Sequence, residues 1–229
     1  VLSQKKPMII EKPIVANLKE LNKFLKLSKD LKSPLIVNYS DLYSDEFKFF
    51  KKKIKLIGKF KKIKIDFGKF QKIYRQNKNT VYPYFDWLPH PLAIAISLAG
   101  PAQKINMIHA DTVIIKKYIF QKIHLSLNCK NKKIDIFFSN NYKRPRRLIE
   151  IKGEKGTVIY DLYKKKSVIC KLKNKKTELY SFNNFTPLEN LLIQFRKLIA
   201  NRINVNDLNL SIKVMKIIFS LKNKVEKKK

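Results

Sequence analysis

The sequence predicts a chain of two parts. The first is α/β, the end of a parallel sheet. The second is α+β, a mostly antiparallel open sheet with helices on one face. Three observations predict this. A strand, a helix and a second strand fill residues 7–39. A long series of short β runs separated by turn chemistry fills residues 103–182. Two amphipathic helical patterns close the chain. At 229 residues and 45% hydrophobic composition the chain can bury a real core, which excludes a disordered tail. No apolar run approaches the roughly 18 residues of a membrane-spanning helix. Lys5 and Lys6 lead into only Met8-Ile9-Ile10 before Glu11, so no signal-peptide pattern opens the chain.

Pro7-Met8-Ile9-Ile10 is a short apolar run bounded by charge, as in a buried strand. Asn17 with Glu20 resembles a capping box ahead of a helix carrying Leu18, Leu21, Phe24, Leu25, Leu27 and Leu31. Pro34 to Tyr39 reads as a second buried strand. The unit has the length of a βαβ crossover, which implies that the two strands are parallel.

A Lys-rich helix follows over 45–57, with Phe47, Phe50, Ile54 and Ile57 on one face. From 61 to 67, Lys62 and Lys64 alternate with Ile63, Ile65 and Phe67, the pattern of a strand with one wet face. Residues 69–85 have no clear period and read as loop. A helix is expected over 88–99, ended by Gly100. Strands are expected at 104–109, 112–119, 121–128, 133–139, 147–152, 156–161, 167–172 and 177–182. Gly153 and Gly156 bracket a hairpin signal. Thr186 and Glu189 form a capping box ahead of Leu188, Leu191, Leu192, Phe195 and Leu198. A last helix carries Leu208, Ile212, Met215 and Phe219, and Lys227–Lys229 read as a frayed end.

The net charge of +34 points toward nucleic acid or an anionic membrane. The breakdown points elsewhere: 45 of the 51 basic residues are Lys, and Lys, Asn, Ile, Phe and Tyr together fill 118 of 229 positions. These five residues share A/T-rich codons, so coding bias would produce this composition with no selection for a polyanion partner. A phosphate-gripping surface is expected to use more Arg, whose planar fork pairs bidentately. Cys129 and Cys170 lie in strand-like segments with no CxxC, and are expected to be buried free thiols in a reducing compartment. His90, His109 and His124 have no metal-ligand spacing, so no metal site is expected.

Two segments carry candidate chemistry. Glu11-Lys12-Pro13 falls at the C-terminal end of the first parallel strand, the edge at which open α/β sheets bind ligands. A Lys there can donate to a substrate oxygen, and the following Pro holds Lys12 extended. Asp86-Trp87-Leu88-Pro89-His90 places a carboxylate and an imidazole four residues apart at a helix start. The carboxylate could orient the imidazole, and the imidazole could accept a proton from an alcohol. Without further context the same residues also read as a solvated Lys, a helix-capping Asp and a surface His.

Taken in order, the segments resemble the glucose–fructose oxidoreductase / inositol dehydrogenase family, Gfo/Idh/MocA. MIIEKPIVANLKELNKFLKLSKDLKSPLIVNY is similar to its Glu-Lys-Pro strand, helix and next strand. IGKFKKIKI is similar to the strand after its Rossmann domain, and YFDWLPHPLAIAISLAG to its Asp-xxx-His helix. RRLIEIKGEKGTVIYD and TPLENLLIQFRKLI are similar to its C-terminal sheet motif and penultimate helix. The resemblance implies NAD(P)-dependent hydride transfer at a sugar, sugar-derivative or polyol carbon, with NAD or NADP in the complete enzyme. It implies that Lys12 lies beside the nicotinamide, that Glu11, Lys12 and Pro13 border the cofactor, and that Lys12, Asp86 and His90 are catalytic, with His90 the proton acceptor. It also implies a homo-oligomer formed through the C-terminal sheet, and a cytoplasmic enzyme.

Two features depart from the family. The GxGxxG turn of a nucleotide-binding unit is absent: the five glycines are Gly58, Gly68, Gly100, Gly153 and Gly156, none of them ahead of the Glu-Lys-Pro strand. Residues 1–39 are therefore expected to be the C-terminal remnant of a Rossmann domain, and 40–229 the substrate and oligomerisation domain. The remainder would be truncated, lost, or supplied by a separate Rossmann partner, and this chain alone would not hold the cofactor tightly. Second, the family often has an Arg soon after the second strand, where this chain has Ser40-Asp41-Leu42-Tyr43. Two other classes compete: a non-catalytic oligomerisation subunit, and a basic nucleic-acid binder using patches such as Lys51–Lys53 and Lys164–Lys166. No nucleic-acid motif supports the latter.

Overall fold

A computed structural model describes residues 6–28, 34–74, 81–163, 167–182, 186–203 and 208–225. Leu31, Lys164–Lys166 and Lys227–Lys229 lie outside the described residues. The opening unit is β1 (Met8–Ile10), α1 (Leu18–Ser28) and β2 (Leu35–Val37), with β1 and β2 paired in parallel from Met8/Leu35 to Ile10/Val37. Asn17 Oδ1 accepts from the Glu20 amide at 2.9 Å, and the Glu20 carboxylate accepts from the Ala16 amide, one residue further out than in a standard capping box.

Both faces of this small sheet are covered, as the continuous apolar runs require. Met8, Leu35 and Val37 enter the main core. Ile36 turns the other way and packs with Leu191 and Leu198 of α5 (Pro187–Ala200), with Ile9, Tyr43 and Phe195 at the rim. The chain then makes a 3-10 turn at Ser40–Tyr43, helix α2 (Asp45–Ile54), a second 3-10 turn at Lys55–Ile57, and strand β3 (Phe60–Gly68).

Strand β3 is the centre of a large mixed sheet. The other strands are β4 (Ile73–Tyr74), β5 (Lys104–Ile115), β6 (Tyr118–Cys129), β7 (Lys132–Ser139), β8 (Arg146–Gly153), β9 (Gly156–Asp161), β10 (Ser167–Leu172) and β11 (Glu178–Ser181). Their order is β11-β10-β9-β8-β3-β7-β6, with β5 along the outer side of β6 and β4 pairing two residues at its start. Every pairing in this sheet is antiparallel except β3 with β7. Helices α2, α3 (Pro83–Trp87), α4 (Pro89–Ala99) and α6 (Leu208–Val225) cover one face. Ile63, Ile65, Leu125, Ile136, Ile151 and Val158 point into that core. Lys62, Lys64, Lys133 and Lys152 are exposed on the opposite face.

Three expected boundaries are corrected. The separate strands expected at 104–109 and 112–119 are one strand, β5, with a bulge between Met107 and His109 that shifts the alternation and mimics a break. The turn lies instead at Lys116-Lys117, where Lys116 takes φ 55° with no turn residue to announce it. The expected loop 69–85 contains β4 and most of α3, whose first residue, Pro83, suits a helix start. The 45–57 helix ends at Ile54 and finishes as a 3-10 turn. Gly100 ends α4 with φ 85°, and Thr186 with Glu189 forms the expected capping box.

Candidate active site

The C-terminal ends of β1 and β2 lie side by side because the strands are parallel and in register. Glu11 and Lys12 follow β1, and Asn38 and Tyr39 follow β2. The Asn38 amide side chain donates to Glu11 Oε1 at 2.5 Å, and the Asn38 backbone N–H donates to Ile10 O at 2.8 Å, which ties the two ends together. Lys12 is joined to Pro13 by a cis peptide, and its side chain is 14% exposed.

Lys12 reaches across to the α3 segment. Its ammonium donates to Asp86 Oδ1 at 2.6 Å and to the Asp86 backbone oxygen at 2.7 Å. An ammonium has three N–H donors, so one is left for a ligand oxygen. Helix α3 stops at Trp87 and α4 starts at Pro89, so Asp86 and His90 sit on either side of a helix junction rather than on one continuous helix face. The Asp86 carboxylate, which the spacing suggested could orient His90, is engaged by Lys12.

His90 instead faces Asp41, in the 3-10 turn after β2. His90 Nδ1 lies 3.5 Å from Asp41 Oδ2, the outer limit of a hydrogen bond, and the His90 ring meets Tyr39 edge-on. Asp41 Oδ1 lies 3.4 Å from an Arg147 guanidinium nitrogen on β8. Asp41 is 1% exposed. Burial pushes its pKa up, but the His90 contact and the Arg147, His90 and Lys12 charges outweigh it and hold the carboxyl below its ordinary value. Asp41 is therefore anionic at neutral pH. The structure thus gathers Lys12, Asp86, His90, Asp41 and Arg147 at one sheet edge, drawn from five separate segments.

The turn that carries Asp41 is fixed from below. Ser44 caps α2, accepting from the Phe47 amide at 3.1 Å, and its hydroxyl donates to the Asp41 backbone oxygen at 3.1 Å. That uses its one proton, so the Tyr160 hydroxyl, 3.3 Å away, is the donor of their contact. Burial and the Glu46 and Asp41 charges raise the Tyr160 pKa, which keeps it a neutral phenol.

Several solved structures share this fold. A UDP-N-acetylglucosamine 3-dehydrogenase from Acidithiobacillus ferrooxidans superposes with a TM-score of 0.78 at 14% identity, over 96% of this chain and 71% of its own. A biliverdin reductase from Synechocystis, solved with biliverdin and NADP+, gives 0.79 at 12% identity, over 99% and 74%. A 3-ketoreductase from Actinomadura kijaniata, solved with TDP-benzene and NADP, gives 0.75 at 9%, over 96% and 70%. The chain shares the fold of these three proteins. At these identities the likeness is one of fold. No protein-family model matches the sequence, and no curated protein matches it.

Sequence reasoning missed Asp41 and Arg147. Asp41 carried a usable signal, an acidic residue just past the C-terminal end of a parallel strand. Arg147 carried none, since nothing local says that β8 passes under the turn. Of the two basic patches, Lys53 is held by Tyr180 at 2.6 Å and Glu178 at 3.4 Å. Cavities of about 310 and 340 Å³ open on the helix-free sheet face around Lys122 and Tyr142. Neither is lined by Lys12, Asp86 or His90, and the polar groups converge at the strand ends. Cys129 and Cys170 are buried and unbridged. Among the described residues no helix is long and apolar enough to cross a membrane.

Proposed function

We propose that this chain forms the substrate side of an NAD(P)-dependent oxidoreductase that interconverts a secondary alcohol and a ketone on a sugar, sugar derivative or polyol. The observation that carries the proposal is the junction of Lys12 with Asp86 at the C-terminal edge of β1, four residues from His90. A solved neighbour described as a 3-ketoreductase holds NADP, and another is a sugar-nucleotide dehydrogenase, which supports this substrate class.

The donor set fits the nicotinamide end of the cofactor. Glu11, Lys12 and Pro13 follow the C-terminal end of β1, where the nicotinamide would lie, and Lys12 has a donor to offer. The five glycines of this chain all follow β1, so none of them supplies a GxGxxG phosphate cradle ahead of that strand. Residues 1–39 read as the last strands of a Rossmann domain, and 40–229 as the substrate domain. Oligomerisation would use the large sheet of the 40–229 part.

The cofactor, when bound, accepts or supplies the hydride. In alcohol oxidation the carbinol C–H leaves as hydride and the O–H proton passes to His90. Lys12 donates to the same oxygen and stabilises the charge that develops on it. Asp86 holds the ammonium in place through both its carboxylate and its carbonyl. In the reverse direction His90 returns the proton to the ketone oxygen.

The test is Lys12→Ala and His90→Ala in an enzyme reconstituted with a nucleotide-binding unit. Both variants are expected to keep the fold, read by circular dichroism, and to lose turnover. Unchanged turnover in both refutes the assignment.

A further inference from the structure

The polar groups around Asp41 determine which nitrogen of His90 carries the proton. His90 Nδ1 and Asp41 Oδ2 are both buried, and neither has a hydrogen bond to any other described residue. They face each other at 3.5 Å. An unmade hydrogen bond between buried groups is costly, so each is the natural partner of the other. The carboxylate is ionised and can only accept. The proton of their contact must therefore sit on Nδ1. Neutral imidazole has one N–H, so Nε2 then carries the lone pair.

Arg147 makes this arrangement directional. It takes the other carboxylate oxygen, Oδ1, so Asp41 is oriented between a permanent cation and the ring. The Ser44 hydroxyl bonded to the Asp41 backbone oxygen fixes the turn itself. Asp86, the carboxylate nearer in sequence, is committed to Lys12.

We propose that Asp41 is the positioning residue of His90: it fixes the neutral imidazole as its Nδ1–H tautomer and leaves the Nε2 lone pair as the proton acceptor. Asp41 acts through His90 and does not touch substrate. The catalytic meaning of the tautomer rests on the oxidoreductase reading; the tautomer itself does not, and it is measured without cofactor or substrate.

The experiment uses the whole chain with 15N-labelled histidine, at a pH where the imidazoles are uncharged. Long-range proton–nitrogen correlation spectra distinguish protonated from unprotonated ring nitrogens, and His90→Gln assigns the His90 signals. The wild-type ring is expected as Nδ1–H. In Asp41→Asn, Arg147 claims the amide oxygen and turns the NH2 toward Nδ1, so His90 is expected to invert to the Nε2–H tautomer. A merely structural role for Asp41 would leave the tautomer unchanged in a folded variant. A wild-type Nε2–H tautomer, or a folded Asp41→Asn that keeps Nδ1–H, overturns the proposal. If Asp41→Asn does not fold, the wild-type tautomer decides alone. A correct tautomer in a chain whose reconstituted enzyme shows no turnover would separate the failure of the oxidoreductase reading from this one.

Discussion

Replacing Ser44 with Ala tests the support beneath the site. Ser44 Oγ makes three contacts: it accepts from the Phe47 amide and from Tyr160, and it donates to the Asp41 carbonyl. The residue is fully buried, and Tyr160 is 1% exposed. Losing the helix cap costs about 1 kcal/mol. Leaving the Tyr160 hydroxyl buried and unpaired adds about 1.5 kcal/mol, so Ser44→Ala should destabilise by about 2.5 kcal/mol. Tyr160→Phe alone removes one hydrogen bond and costs about 1 kcal/mol. In the double variant no phenol is orphaned, so the total should be about 2 kcal/mol, well below the sum of the single effects, with a coupling of about 1.5 kcal/mol. Urea unfolding of the four proteins, followed by circular dichroism, measures the cycle. Additive losses would refute the hydroxyl network as drawn.

Other outcomes follow from the same geometry. Asp41 has a lowered pKa when folded, so its contribution to stability is complete above the ordinary carboxyl value of 3.8 and is lost as pH falls through the lowered value. The stability gap between wild type and Asp41→Asn, read as urea midpoints, should shrink with acid; a gap that widens contradicts the assignment. A Cβ at Gly153 would sit 2.4 Å from the Ile57 backbone oxygen, while one at Gly100 meets nothing within 4 Å. Gly153→Ala should therefore lower the thermal midpoint sharply. Gly100→Ala, strained only by its φ of 85°, should cost about 1–2 kcal/mol. Calorimetric titration of the isolated chain with NAD(H) should give binding weaker than micromolar, and micromolar affinity would show that the phosphate cradle is not needed.

Much of the fold was legible because local pattern and tertiary environment agree. The continuous apolar runs at 8–10 and 35–37 are packed against on both faces, and the alternation of Lys62 and Lys64 with Ile63 and Ile65 divides β3 between water and core. The Thr186/Glu189 box is a purely local device, and it formed as read. The parallel pairing of β3 with β7 was not legible, because no local signal says which strand a chain will lie beside more than sixty residues later. The bulge in β5 shifts the side-chain period, so its sequence pattern breaks into two apparent strands.

The candidate site divides in the same way. Lys12, Asp86 and His90 carried signals in their spacing and in their placement at a strand end and a helix start. Their pairing does not follow from spacing: the helix junction at Leu88 and the reach of Lys12 reassign Asp86, and His90 is left to Asp41 in the turn after β2. Partner choice among charged groups is settled by tertiary distance, which sequence separation does not encode.

Hydride transfer to and from a sugar or polyol carbon at the edge formed by Lys12 and His90 is the activity proposed for this chain. Deuterium transfer measures it directly. The chain is completed with a nucleotide-binding unit ahead of β1 and supplied with reduced nicotinamide dinucleotide deuterated at the transferring position and a panel of ketosugars. Mass spectrometry then reads the product. One deuterium is expected at the new carbinol carbon, falling by at least about a hundredfold in His90→Gln and Lys12→Met. Deuterium transfer that persists unchanged in both variants, or its absence from every ketone product, would contradict it.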